Sequence, residues 1–173
     1  MNKTPDAHMK SSAAGRTAGG GSSAHSPLDK ASEDLLRKVP PQSLEAEQAV
    51  LGGIFVNKEI YYHIVDIVSA DDFYYPAHRI IFDSFIELSR TSRPIDLVSV
   101  AEFLKSAGDL DKVGGPLYLA ELRESSLVNA ANADYHAQIV REKAIRRDLI
   151  GASTEVIGNC FDAAQSVQEV LDE

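Results

Sequence analysis

The chain has 173 residues, of which 44% are hydrophobic, and its formal net charge is −9. This length and apolar content suffice for one domain with a packed core. Residues 39–173 carry 11 basic and 22 acidic residues, so the expected folded part is strongly acidic. Because a domain that grips phosphates usually has a basic face, this charge argues against a main DNA-binding surface.

The single cysteine, Cys160, excludes an internal disulfide and makes a cytoplasmic location the expectation. Cys160 falls on the apolar side of a helical pattern, so we expect a small core residue rather than a nucleophile. No run of about 18 apolar residues occurs, which excludes a transmembrane helix. The N-terminus also lacks the apolar segment of a signal peptide.

A disordered tail is predicted for residues 1–38, which are rich in Ser and Gly up to residue 26. The first helix follows Pro40 and Pro41, with Ser43 as its N-cap. Glu45 and Glu47 lie in its first turn, where the helix dipole favours negative charge. Its expected buried stripe is Leu44, Leu51, Ile54 and Phe55, and Gly52-Gly53 predict that another helix backbone approaches closely.

Helical periodicity continues through the chain, and no alternating strand pattern appears. We predict a helix from about Lys58 to Val68, a turn over residues 69–72, and a third helix from Pro76 to near Arg90. Its apolar face is Ile80, Ile81, Phe82, Phe85 and Leu88. A fourth helix should begin after Asp96 and end at Gly108, and a short fifth helix should begin at Pro116.

A sixth helix is predicted from Ala130 or Ala133 to near Phe161, longer than a small core can cover. An apolar stripe runs along it through Ile145, Leu149, Ala152, Val156 and Cys160. We therefore expect this stripe to be buried only in a helical hairpin or an oligomer. A capping box at Ser166 predicts a seventh helix from Val167, so the chain is expected to be part of a longer protein.

No constellation for catalysis is present. No Gly-x-x-x-x-Gly-Lys-Ser/Thr loop occurs, so no phosphate cradle for ATP is expected. His63, His78 and His136 lie on different predicted helices without metal-ligand spacing, so we expect partly buried or surface histidines rather than ligands. Asp71-Asp72 is best explained as a turn and cap.

One basic cluster stands out in the acidic part of the chain: Arg141, Lys143, Arg146 and Arg147. It is either a solvated helix face, with Glu142 and Arg146 as a favourable pair, or a contact with neighbouring subunits or single-stranded DNA. Tyr74, Tyr75 and Tyr118 suit either an interface or the margin of a core.

Four segments in order carry a family resemblance: PPQSLEAEQAVLGGIF, DDFYYPAHRIIFDSFIEL, RPIDLVSVAEFLKSAGDLDKVGGPLYLAEL and NADYHAQIVREKAIRRDLI. Together they resemble the N-terminal domain of bacterial DnaB-type replicative DNA helicases. The resemblance implies an all-α bundle of about six helices, with the last helix extended into a helical hairpin. The expected organisation is a tail at 1–38, a head at 39–131, and a long helix with the start of a hairpin at 132–173.

The resemblance also implies a non-catalytic part in DNA replication. In that family the heads pair, assemble above a hexameric motor ring, and dock the C-terminal domain of primase; a helicase loader is a further partner. ATP, Mg²⁺ and most DNA contacts belong to a motor domain expected outside this chain, so we expect no cofactor here. The partner surfaces we predict comprise Glu45, Tyr118 and the apolar stripe. A stand-alone interaction adaptor and a small all-α enzyme remain as alternatives.

Overall fold

The computed structural model describes residues 38–127 and 130–161, which form six α-helices and no strand. The all-α prediction is confirmed. None of the helices in these ranges combines the length and apolarity that a bilayer span requires. The helices are α1 (Leu44–Val56), α2 (Ile60–Ile64), α3 (Pro76–Arg90), α4 (Leu97–Ala107), α5 (Gly115–Ser125) and α6 (Ala133–Phe161), with 3₁₀ turns at Ala70–Asp72 and Ala130–Asn132.

Local sequence signals set several helix ends as predicted. The Ser43 hydroxyl accepts from the Ala46 amide at 3.3 Å, and the Asp96 carboxylate accepts from the Ser99 amide at 2.8 Å. Both side chains satisfy amides that have no partner within the helix. Gly108 ends α4 in the left-handed region, at φ 76°. The predicted tail, except Lys38, and the predicted seventh helix lie outside the described residues.

Helix α1 is the centre of the head, and it packs mainly against α5 and α6. The two glycines predicted to permit a close approach do so. A Cβ on Gly52 would lie 2.1 Å from the Leu122 carbonyl oxygen and 2.0 Å from the Ser126 Oγ, so any side chain there would push α5 away. Gly53 faces the start of α6, where a Cβ would lie 3.1 Å from that of Ala133.

The core is completed by α3, whose apolar face is buried as predicted at four of its five positions, with Ile80 half-buried. Its aromatic rings pack edge to face: Phe85 lies 5.0 Å from Phe55 of α1 at an interplanar angle of 86°. Such pairs stabilise a core somewhat beyond the area they bury.

Two predictions about the helices need correction. Leu44 is only half-buried, because it lies in the first turn of α1, at the edge of the head. The second helix is shorter than predicted and ends at Ile64, because the backbone then tightens: the Ile67 amide bonds the Ile64 carbonyl in an i→i+3 turn. The long sixth helix is confirmed, with 29 residues.

Candidate interaction surfaces

A buried carboxylate lies at the centre of the head. Glu47 on α1 is 1% exposed. Its carboxylate accepts from the backbone amides of Tyr74 at 2.8 Å and Tyr75 at 3.3 Å, and lies 2.7 Å from Nδ1 of His78. These donors compensate the desolvation of a charge that would otherwise be costly to bury.

The contact continues from His78 to the surface through Tyr118. His78 Nε2 lies 2.7 Å from the Tyr118 Oη, which also accepts from Gln48 Nε2 at 3.3 Å. Because the Glu47 carboxylate can only accept, Nδ1 of His78 carries the proton that faces it. Nε2 is then free to accept from the Tyr118 hydroxyl. Glu47, His78 and Tyr118 each therefore have a hydrogen-bond partner of the matching kind.

This network is structural rather than catalytic in its geometry. It joins α1, α3 and α5, three helices that are distant in the sequence. Glu47 and His78 are both 1% exposed, so no substrate reaches them. The histidine predicted to be a surface or partly buried residue is therefore fully buried, and its two ring nitrogens fix how the three helices meet.

The sequence contains a signal for this network. Glu47 lies three residues after Leu44 and four before Leu51, within the apolar stripe of α1, and His78 lies three residues before Ile81 and four before Phe82, on the apolar face of α3. A charged residue at a position that must be buried requires a partner. The dipole role predicted for Glu47 does not account for its burial.

The basic cluster divides into two parts. Arg141 binds the Asp72 carboxylate at 2.6 Å, and Arg147 donates to the carbonyls of Pro41 at 2.9 Å and Asp72 at 2.6 Å. These two arginines therefore fasten α6 to the head. Arg146 instead pairs with Glu142 along the exposed helix surface, as the solvated-face interpretation predicts.

Asp72 also caps the turn that precedes α3. Its Oδ2 accepts from the Ser69 amide at 2.8 Å, while its Oδ1 binds Arg141. The cap predicted for Asp71-Asp72 is thus formed by Asp72. Lys143 is half-buried, and Arg147 also lies 5.7 Å from the centre of the Tyr74 ring.

The second half of α6 exposes large apolar side chains. Leu149 is 62% exposed, Ile145 and Val156 are each 45% exposed, and Phe161 is 85% exposed. Cys160 is exposed as well, so its prediction as a core residue is wrong for this chain. The reason is that α6 buries nothing beyond Ala144.

The exposed stripe does not continue the face that packs on the head. At 3.6 residues per turn, the buried residues Ala137, Val140 and Ala144 lie about 130° around the axis from Ile145, Leu149 and Val156. Past Ala144, the head-facing line continues through small or charged residues instead: Asp148, Gly151, Glu155 and Gly158. Ile150, Ile157 and Phe161 lie outside this stripe and are also exposed. The distal half of α6 therefore carries large apolar side chains on every side except the line that faces the head.

The other predicted partner residues lie on the head. Glu45 is exposed in the first turn of α1. Tyr118 is half-buried, and its hydroxyl points inward to His78, so only part of its ring can meet a partner. The structure does not bring Glu45, Tyr118 and the α6 stripe together through any contact among the described residues.

Acidic and histidine side chains at the surface form no metal site: no group of three potential ligands occurs in the part of the chain that the structure describes. His63 lies 3.8 Å from the Asp134 carboxylate, and both are exposed.

On α3, partial burial raises the pKa of the Asp83 carboxyl, and the nearby carboxylates of Asp71 and Glu87 raise it further.

Comparison with known proteins agrees with this architecture. Residues 39–142 match the family described as the DnaB-like helicase N terminal domain. Replicative DNA helicase DnaB of Pasteurella multocida is 45% identical over 136 residues, which cover 78% of this chain and 29% of that protein. The corresponding protein of Geobacillus stearothermophilus is 37% identical over 142 residues, 82% of this chain and 31% of that protein.

A solved structure supports the same assignment. The crystal structure of the N-terminal domain of DnaB helicase from Mycobacterium tuberculosis is 40% identical, with a TM-score of 0.73. The match covers 78% of this chain and 94% of that one. The family resemblance carried by the four sequence segments is therefore confirmed. The chain spans under a third of the length of the curated relatives described above, and it belongs to the family of DnaB-like helicase N-terminal domains.

Proposed function

We propose that this chain is the non-catalytic head of a bacterial replicative DNA helicase, and that it joins subunits and docks a partner in the cytoplasm. The relatives carry the name replicative DNA helicase, and they support the first part. The motor that would bind ATP, Mg²⁺ and most of the DNA is proposed to follow in sequence. The coding sequence past residue 173 tests this, because it must continue into an ATPase with a Walker A motif.

The observation that best supports an assembly role is the apolar stripe on the distal half of α6. Its large side chains, Ile145, Leu149 and Val156, are 45–62% exposed, and they face away from the head that covers the proximal half. An uncovered stripe with spacings of three and four residues is typical of helices that pair with another helix. We propose that a second copy of the chain covers it, as the pairing of heads in this family implies.

Sedimentation velocity over a wide range of concentration tests this assembly. The chain should associate, and Leu149→Asp and Val156→Asp should shift it to a monomer, because a buried unpaired carboxylate is costly. Gly151→Asp is the matched control, since it adds the same charge on the other side of α6, where a side chain meets no atom within 4 Å. A monomeric parent chain, or equal dissociation by all three variants, would contradict the proposal.

We further propose that the head docks the C-terminal domain of primase, with Glu45 and Tyr118 in the contact. A pull-down with that domain should lose binding with Glu45→Lys and Tyr118→Ala. Tyr118→Phe separates a direct contact by the ring from an indirect effect of the hydroxyl on the head. It keeps the ring but removes the hydroxyl that bonds His78. If Tyr118→Phe binds as the parent does, the ring makes the contact. Undiminished binding by both Glu45→Lys and Tyr118→Ala would remove these residues from the surface.

A further inference from the structure

A cavity on the head is lined by no residue of α6 and by none of Glu47, His78 and Tyr118. A depression of about 410 Å³ opens between the start of α2 and the end of α3. This volume falls within the range typical of small-molecule sites. The polar and aromatic residues around it are Lys58, Glu59, Tyr62, Ser89, Ser92 and Arg93.

Two cations at this cavity have no acidic partner. Lys58 and Arg93 are exposed, and neither side chain forms an ion pair or hydrogen bond with any residue that the structure describes. In contrast, Arg90, Arg141 and Arg146 each hold a carboxylate. In a chain with a net charge of −9, two unpaired cations at one cavity create a local site for an anion.

An aromatic ring is presented next to these cations. Tyr62 is 59% exposed. Its ring is braced by the buried Tyr61, with centroids 5.5 Å apart and planes at 72°. A ring that is held in place but open to solvent can stack on a planar ligand with little loss of side-chain freedom.

The backbone at the rim of the cavity favours glycine at position 92, where the chain has serine. Ser92 has φ 54°, and it occupies the position after α3 where glycine usually ends a helix. The Arg93 amide bonds the Leu88 carbonyl at 2.8 Å, as the Asp109 amide bonds Leu104 after Gly108. The same turn thus carries glycine at 108 and serine at 92, and the serine places a hydroxyl at the cavity.

We propose that this cavity binds a nucleoside phosphate unit. Lys58 and Arg93 attract the phosphate, the hydroxyls of Ser89 and Ser92 donate to its oxygens, and Tyr62 stacks on the base. Glu59 accepts from the 3′-hydroxyl of a free nucleotide or of the 3′-terminal nucleotide of a strand, which gives the acidic residue at this site a partner. The unit comes either from a free nucleotide or from a single strand of nucleic acid. The proposal does not depend on the assembly role of α6.

Amide NMR titration of the full chain tests this site with three probes: inorganic phosphate, thymidine 5′-monophosphate and a short oligothymidylate. The expected shifts cluster at residues 58–62 and 89–95. Arg93→Gln should weaken binding of the monophosphate about tenfold. Tyr62→Ala should weaken it about fivefold or more while leaving inorganic phosphate unaffected. Lys105→Gln, the loss of an exposed cation outside the cavity, should change nothing.

Ser92→Gly adds a signature that a purely structural serine would not produce. It should raise the thermal midpoint, because glycine adopts a positive φ readily, and it should weaken binding of the monophosphate at the same time. Unchanged binding by Ser92→Gly would remove the serine from the site.

The outcomes of the titration separate the two sources and the rival ligands. Tighter binding of oligothymidylate than of the monophosphate assigns a nucleic acid strand, and equal binding assigns a free nucleotide. The proposal is overturned if the shifts are scattered, if Lys105→Gln weakens binding as much as Arg93→Gln, or if a peptide with a free carboxylate competes better than the monophosphate.

Discussion

The two parts of α6, residues 133–144 and 145–161, lie on one continuous helix, yet they meet different surroundings. Residues 133–144 turn small apolar side chains, such as Ala137 and Ala144, into the core of the head. Residues 145–161 carry larger ones, such as Leu149 and Val156, and expose them. The apolar faces of the two halves lie about 130° apart around the axis.

We propose that this difference lets one helix serve two interfaces. Small residues in the proximal half allow α1 and α6 to approach closely, and Gly53 against Ala133 is one such contact. The larger residues of the distal half would suit a partner that supplies its own apolar surface. The proximal half therefore contributes to folding of the head, whereas the distal half is exposed and is the part proposed to assemble.

The largest effect is expected from the buried carboxylate of the head. Glu47→Ala leaves His78 and two backbone amides without their acceptor, so it should lower the free energy of unfolding by about 3–5 kcal/mol. Glu45→Ala, two residues earlier and exposed, should lower it by less than about 1 kcal/mol. Urea denaturation measures both.

Similar losses for Glu45→Ala and Glu47→Ala would contradict the role assigned to the network. If Glu47→Ala does not fold, Glu47→Gln supplies the measurement, since it retains one acceptor oxygen.

Glycine-to-alanine substitutions compare the two regions directly. Gly52→Ala places a methyl group against the Leu122 carbonyl, and it should lower the free energy of unfolding by about 1–3 kcal/mol. Gly151→Ala lies where a Cβ meets no atom within 4 Å. It should favour the helix by up to about 1 kcal/mol.

Thermal denaturation followed by circular dichroism gives the sign of both changes. A destabilising Gly151→Ala would mean that the head-facing line of the distal half is also packed closely.

Arg141 and Arg146 on α6 should contribute differently to the free energy of unfolding, because one pairs with a buried carboxylate and the other with an exposed one. Arg141→Met removes the partner of a carboxylate that is 7% exposed, and it should lower the free energy of unfolding by about 1 kcal/mol. Arg146→Met breaks only an exposed pair with Glu142 and should lower it by about 0.3–0.5 kcal/mol. Equal effects in urea denaturation would indicate that Arg141 does not fasten α6 to the head.

The smallest effect concerns surface charge on α3. Because the folded chain raises the pKa of Asp83, it binds that proton more tightly than the unfolded chain, and the ionised carboxylate lowers stability above the folded pKa. Asp83→Asn should therefore stabilise the chain at pH 7, by less than about 0.5 kcal/mol because solvent screens the site. The gain should vanish below the ordinary pKa of 3.8.

Unfolding measured across pH checks this trend, with Asp66→Asn as an exposed control. A gain from Asp83→Asn that grows as the pH falls would have the wrong sign.

Local chemistry made most of the fold predictable. Caps at Ser43 and Asp96, a proline at the start of α3 and a glycine after α4 each act within a few residues, so the sequence alone indicates them. The extent of α2 was not predictable in this way, because a helix of so few residues depends on tertiary packing. The length of α6 was predictable because its apolar residues keep a helical period over more residues than a head of this size can cover.

The side-chain contacts were less predictable than the helices. Glu47 and His78 are 31 residues apart, and only the packing of α1 against α3 brings them together. The partners of Arg141 and Arg147 likewise depend on where the turn before α3 meets α6. Sequence spacing could identify a charged residue on a buried face, but it could not identify which distant group would satisfy it.

Hydrogen exchange of the two halves of α6, followed as the protein concentration increases, tests the central claim most directly. Amides of residues 133–144 should be protected at every concentration, because the head covers them. Amides of residues 145–161 should exchange rapidly in dilute solution and become protected as copies associate. Protection of residues 145–161 that is high and independent of concentration would show that a single chain covers its own stripe, and it would contradict the account.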